Sequence, residues 1–367
     1  MADEYGRFQL IADPLADALV TQASERKQNL HQMMELALRR GIHAVDDPPP
    51  ALIEMFEHLD RVPNWVDFEQ LRLGARTYQR LGPASMLILS AWSLMNGYRC
   101  GPAVKPLALT GALERMAPRR LAETSRFVTE VAQTSGMRRH REGFVLTARV
   151  RVFHAMVRRM LLRGERWNTQ AWGAPINQSD MVGTVIEFSL LVLAGARKMG
   201  FHFADEEAEA VVQLWRYCGY ISGVNEQLLY HLRDEDSGVR FATMVDNVQA
   251  GPDRDSLALA QALRRVPRQM AKTPVQKRLS GFVTRYHDGL TWAFNGEQIA
   301  HALKIPNPAW RYAIYPTRAF IGAAELARRT LPGASKLATR LGNRLVRDEV
   351  NRMLGGVEPE FTPARAV

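Results

Sequence analysis

Cysteine is nearly absent: the 367 residues hold only Cys100 and Cys218. Two thiols 118 positions apart point to free cysteines in a reducing compartment rather than a disulfide framework. No C-x-x-C occurs, which removes the usual thiolate zinc site. H-E-x-x-H is missing, as is the paired E-x-x-H pattern of di-iron bundles. The phosphate-cradling G-x-x-x-x-G-K-[ST], the dinucleotide-binding G-x-G-x-x-G and the nucleophile elbow G-x-S-x-G are absent too. Long apolar runs are also lacking. The two most apolar stretches cover residues 84–95 and 181–196. The first falls short of the ~20 residues that span a bilayer, and the second carries Glu187 in its middle, which is costly in lipid. The start of the chain holds Asp3, Glu4, Asp13 and Asp17 where a secretory signal needs a basic start and an apolar run. The expected location is therefore the cytoplasm.

Strand signals are as scarce as cysteine. No alternating run of six or more residues appears, and no repeat of 20 to 50 residues is visible. What is present is helical periodicity over a composition of 46% hydrophobic and 23% charged residues, enough to bury a core. Helices are expected over residues 30–40, 51–60, 120–133 and 147–163, with 137–143 as a polar connector. The apolar stretches 84–95 and 181–196 read as core helices. Ser179 or Asp180 is expected to cap the second, and Asp205 the helix after it. Pro252 and Pro267 are expected to bound a short helix around 257–264, and Pro306, Pro308, Pro316 and Pro332 to mark the last joints. The fold class is all-α, one large helical domain: an N-terminal helical arm (1–60), a core (61–300) and a basic C-terminal helical arm (301–367).

Two acid–histidine pairs at i,i+4, Glu54/His58 and Glu297/His301, read as surface ion pairs. The richest segment is 147–163. On a helix, Leu146, Val150, Phe153, Val157 and Leu161 form one stripe, and His154 lies on it, with Arg151 one turn before and Arg158 one turn after. Two readings are open. One is a buried histidine bonded to a carbonyl, beside solvated arginines. The other is the axial ligand of a haem, which takes one proximal histidine, apolar walls and arginines for its propionates.

The string Arg149-Val-Arg-Val-Phe-His-Ala-Met-Val-Arg-Arg159 resembles the signature helix of the rubber-oxygenase (latex-clearing protein) and MpaB-type oxygenase superfamily. Three further stretches resemble that family in the same order: residues 119–127, residues 172–180 with Thr184, Phe188 and Ser189, and residues 214–224. The resemblance implies a globin-like core holding haem b, with His154 as the proximal iron ligand. The family's distal R-x-x-K-T motif falls on Arg120, Glu123 and Thr124, with 31 residues from Glu123 to His154 as in the family. Glu123 stands where a rubber oxygenase has lysine. A glutamate there is expected to serve as acid or base near bound oxygen if burial raises its pKa. The family's catalytic glutamate ahead of this motif has no counterpart in register; Glu114 is nearby but displaced. Trp172 to Asp180 reads as a structural turn, and Trp215, Tyr217 and Tyr220 as core.

The net charge is +10, and residues 301–367 supply +6 of it with 11 Lys/Arg against 5 Asp/Glu. No helix-turn-helix is recognisable and aromatics do not interleave with the basic residues, so no nucleic-acid partner is expected. Residues 323–354 read as basic amphipathic helices suited to peripheral membrane contact or to packing on the core. The expected function is a haem b-dependent oxygenase using O2 on a small apolar organic substrate, with Arg151 or Arg158 pairing to propionates. The alternatives are a non-catalytic haem or gas-binding protein and a haem-free helical membrane-surface module.

Overall fold

The structure, a computed structural model, describes residues 1–110, 117–306 and 308–355. Every regular element among them is helical. The N-terminal helices are α1 (Ala2–Phe8), α2 (Pro14–Glu25), α3 (Leu30–Arg40), α4 (Pro50–Asp60) and α5 (Phe68–Arg80). The next group is α6 (Pro83–Ile88), α7 (Leu94–Tyr98), α8 (Gly101–Leu109), α9 (Ala117–Val131) and α10 (Glu142–Arg163). Then come α11 (Thr169–Trp172), α12 (Gln178–Phe188), α13 (Leu190–Lys198), α14 (Asp205–Ile221) and α15 (Glu226–Tyr230). The chain closes with α16 (Glu235–Val248), α17 (Arg254–Met270), α18 (Pro274–Ala302), α19 (Ile314–Thr330) and α20 (Ala334–Leu354).

Local chemistry explains many of the starts. Asp13, Asn29, Asp67 and Asp234 each accept a backbone N–H in the first turn of the helix they precede, satisfying donors that have no intrahelical partner. Tertiary packing explains the centre. α14 is buried almost all round, with Trp215, Tyr217 and Tyr220 fully enclosed as expected. It lies against α5, where Gly74 lets the backbones touch: a Cβ there would overlap the Ala210 carbonyl. α10 packs on α2 and α9, and α20 closes over α5 and α9. Residues of α1 to α4 share this core with those of α18, so the N-terminal segment is built into it. Cys100 and Cys218 are both free and buried.

Several boundaries differ from those read in the sequence. α10 starts at Glu142, so the polar connector is shorter than expected, because Gly143 fits against the Glu130 and Gly136 carbonyls. Residues 84–95 are not one plain helix; a π-turn (Leu89–Ser93) joins α6 to α7. Residues 181–196 break at Ser189, whose ψ of −80° lies outside the helical range. The cap of α12 is neither Ser179 nor Asp180 but Asn177, whose Oδ1 accepts the Asp180 N–H at 3.0 Å. Ala204, not Asp205, occupies the cap of α14, and Glu207 returns to accept the Ala204 N–H. α17 runs through Pro267, since its face of Leu259, Leu263 and Val266 is buried and α18 packs against it. Pro316 likewise sits in the first turn of α19 rather than at a joint. His58 does not pair with Glu54; it stacks on Tyr220 at 4.4 Å and its Nε2 lies 3.2 Å from the Tyr220 carbonyl. Glu297 and His301 do form the exposed pair, at 3.4 Å.

Candidate functional site

His154 stands in the middle of α10, half-buried, with Val150 and Phe153 in the turn before it and Val157 after it. Its Nδ1 is buried and has no hydrogen-bond partner among the described residues. Burial, aided by the Arg158 charge, pushes its pKa down to about 4, so the imidazole is neutral near pH 7. A neutral ring with an uncommitted nitrogen is the form that binds a metal.

The two arginines beside it are deeply buried and paired. Arg151 holds Asp13 through two bonds, Nε at 2.6 Å and Nη2 at 2.9 Å. Arg158 Nε donates to Asp17 at 2.7 Å, and its Nη1 to the Ile176 carbonyl at 3.4 Å. Neither is a solvated cation, and both are held by acids from the segment around α2. Each still keeps one buried nitrogen, Nη1 of Arg151 and Nη2 of Arg158, without a partner among the described residues.

The other predicted residues share a face of α9. Arg120 Nη2 donates to the Thr110 hydroxyl at 3.1 Å. Burial lowers its pKa, opposed by the charge of Glu123 and by Tyr98 on α7. Glu123 accepts from Arg119 Nε at 2.9 Å, which ties its carboxylate to its own helix. Thr124 is half-buried on the same side. Arg120, Glu123 and Thr124 thus come together, as do Arg151, His154 and Arg158. α10 packs against α8 and α9, which brings the two groups onto adjoining helices. Among the described residues, no hydrogen bond or ring contact joins His154 to Arg120, Glu123 or Thr124. Glu114 lies outside the described residues.

A second pair of acids stands out only in the folded chain. Asp180 and Glu187 lie two turns apart on one face of α12, with Gly183 and Thr184 between them. Burial, reinforced for Glu187 by the charge of Asp180, raises their carboxyl pKa values to about 7 and about 8. The Glu187 carboxyl has no hydrogen-bond or ion-pair partner among the described residues. It presses against α7 at Gly97, the glycine beside Tyr98, where a Cβ would collide with it. Yet this face keeps accessible surface: Thr184 is exposed, and nothing lies within 4 Å of where a Gly183 Cβ would be. Glu187, Asp180, Tyr98 and His154 are each half-buried, and burial shifts the pKa of each. Phe127 of α9 meets Phe188 of α12 at 6.2 Å, which carries the α9 face across to the two acids. The signal in the sequence was a glutamate inside the apolar run 181–196.

A separate cavity of about 570 Å³ opens between α5 and α20, lined by Arg76, Lys336 and Arg340 among others. It contains none of these residues. Among the described residues no group of three or more His, Cys, Asp or Glu is placed to hold a bare metal ion.

The family model described as the catalytic domain of ER-bound oxygenase mpaB/B' and rubber oxygenase matches residues 76–328. The rubber oxygenase of Streptomyces sp. (strain K30) is 23% identical over 185 residues, which is 49% of this chain and 45% of that protein. The chain thus aligns with less than half the length of that relative. The structure of latex clearing protein LCP in its closed state superposes with a TM-score of 0.71 at 18% identity, over 92% of this chain and 91% of that one. At that identity the structural likeness is one of fold.

Proposed function

The chain belongs to the family of ER-bound oxygenases mpaB/B' and rubber oxygenases, and from that premise we propose that it is a haem b-dependent oxygenase acting on a small apolar molecule with O2. The observation that carries the reading is His154: a neutral imidazole on an apolar stripe with a buried nitrogen left without a partner. The residues present fit a haem. Among the described residues no cluster of side chains is placed to hold iron alone; in a haem the macrocycle would supply most of the iron's ligands, and His154 would be the protein's. Bound haem supplies one-electron and dioxygen chemistry. The free nitrogens of Arg151 and Arg158 are the donors available to propionates, while Asp13 and Asp17 fix both guanidinium groups beside His154.

Arg120, Glu123 and Thr124 form the opposing wall. Arg120 brings a positive charge anchored on Thr110. Because Arg119 holds the Glu123 carboxylate, proton transfer is assigned to Glu187 instead. At neutral pH its carboxyl carries a proton on an oxygen without a partner, ready to donate. Asp180, two turns away on the same helix, has its pKa raised to about 7 by burial. The apolar side chains of Phe127 and Phe188 exclude water and favour an apolar substrate. The partners in this reading are O2, the substrate, and a membrane surface touched peripherally through residues 323–354.

The test is an absorption spectrum of the purified protein with iron quantification. A Soret band that disappears in His154→Ala supports the reading. A protein that stays colourless after haem addition overturns it.

A further inference from the structure

α19 turns part of its charge inward and much of its apolar surface outward. Its four charged residues, Arg318, Glu325, Arg328 and Arg329, fall within an arc of about 100° at 3.6 residues per turn. That arc contains Ile314 and Ile321, which pack on the core. Glu325 is buried, holds Arg328 Nε at 2.8 Å and accepts the His202 N–H at 3.1 Å. Glu325 and Arg328 are thus turned inward, while Arg318 and Arg329, at the edge of the arc, stay exposed beside the outward face. The side turned outward carries Tyr315, Phe320, Leu326 and Leu331, exposed by 64, 78, 63 and 60%, and between them only small residues such as Ala319 and Ala323.

The neighbouring helices continue the pattern. On α20, Val346 and Val350 are buried while Leu337, Leu341 and Leu345 form an exposed stripe. On α18, Val275, Leu279 and Phe282 stand out, and Phe282 meets Trp310 edge-on at 5.3 Å just before α19. Isolated exposed leucines need no explanation, but a run over three helices packed together does.

Charge identifies the occupant. Residues 265–347 hold 15 Lys/Arg against 3 Asp/Glu, a net +12, while the rest of the chain holds 33 against 35. The span of α18 to α20 itself, residues 274–354, holds 13 Lys/Arg against 5 Asp/Glu, a net +8, so most of the chain's positive charge sits on the helices that bear the apolar face. Two of those five acids are turned inward, Asp288 onto Arg264 and Glu325 onto Arg328. A second copy of this chain would bring +8 against +8, which repels.

We propose that α19, flanked by α18 and α20, docks on an anionic lipid bilayer. Phe320, Leu326 and Leu331 enter the acyl boundary, and the flanking lysines and arginines meet the headgroup phosphates. This deepens the membrane contact proposed above by moving its centre to the outward face of α19, and it is independent of haem. For the oxygenase reading, it would let an apolar substrate arrive from the lipid phase.

The test is flotation of the full-length protein with vesicles of phosphatidylcholine alone or mixed with phosphatidylglycerol, at low and high salt. Phe320→Glu and Leu326→Glu sit on the exposed face, and circular dichroism checks that each folds. The expected result is binding to the anionic vesicles, weakened by salt and reduced about tenfold or more in either variant. His154→Ala should bind vesicles like the parent protein, which separates failure here from failure of the haem reading. The proposal is overturned by no binding to anionic vesicles. It is equally overturned by binding that neither variant changes, or by light scattering that shows a dimer dispersed by the same variants.

Discussion

Glu187 shows what burial does to a single carboxyl. In the unfolded chain a glutamate has its ordinary pKa of about 4.5; in the folded protein burial raises that of Glu187 to about 8. Between those values the native state holds a proton that the unfolded state releases, so stability falls as pH rises through that window. Asp180 on the same helix, Tyr5 on α1, Tyr98, Arg99 and Cys100 at the end of α7, and Asp246 on α16 are the ionisable groups around it. Glu187→Gln removes the ionisation. Its melting temperature should match the parent near pH 4.5 and exceed it by several degrees near pH 8.5, as scanning calorimetry at the two pH values would show; equal melting temperatures at both would count against a desolvated acid. The Asp13–Arg151 pair makes the opposite prediction. Both side chains are 2% exposed and bonded twice. Asp13→Ala leaves a guanidinium buried without its counter-charge, and chemical denaturation should show a loss of about 3–5 kcal/mol.

At the scale of elements, contact geometry decides more than propensity. α5 and α14 approach so closely at Gly74 that a methyl group has no room beside the Ala210 backbone. Gly74→Ala raises helix propensity, yet it should destabilise the protein by about 1–3 kcal/mol because backbone, not a flexible side chain, must move; urea denaturation reads the sign. The π-turn between α6 and α7 follows the same logic. Asn295 of α18 donates to the Ala91 carbonyl at 2.9 Å, and Ser93 donates to the Glu187 carbonyl at 2.7 Å. The first bond occupies a carbonyl in the widened turn, and the second, made by the Ser93 hydroxyl, seats the turn against the helix that carries Glu187. Nothing local announced this, since residues 84–95 have an ordinary helical composition.

For the whole molecule, the N-terminal segment matters more than its place in the chain suggests. Asp13 and Asp17 neutralise Arg151 and Arg158, and Leu19, Leu38 and Leu52 are fully buried. Removing residues 1–25 would leave two buried cations unpaired and uncover one face of α10. The truncated chain should be insoluble or molten, with weak near-ultraviolet circular dichroism and no cooperative melting transition. The charge is also divided at this scale: a segment of +12 lies beside a remainder of −2. The net value of +10 hides that division.

The sequence by itself determined the helical class, because apolar spacing and missing strand signals are local properties. It placed His154 on an apolar stripe, since a helix puts residues three and four apart on one side. It pointed to the family through four ordered motifs, and the match over residues 76–328 agrees. Only the tertiary structure decided the partners of Arg151 and Arg158, which lie 138 and 141 positions away in the chain. It alone turned Glu187 from an oddity in an apolar run into a protonated acid, because desolvation depends on everything packed around a group. It also set the orientation of α19: periodicity shows that the helix has two faces, but only docking decides that Glu325 and Arg328 turn in while Phe320 and Leu326 turn out.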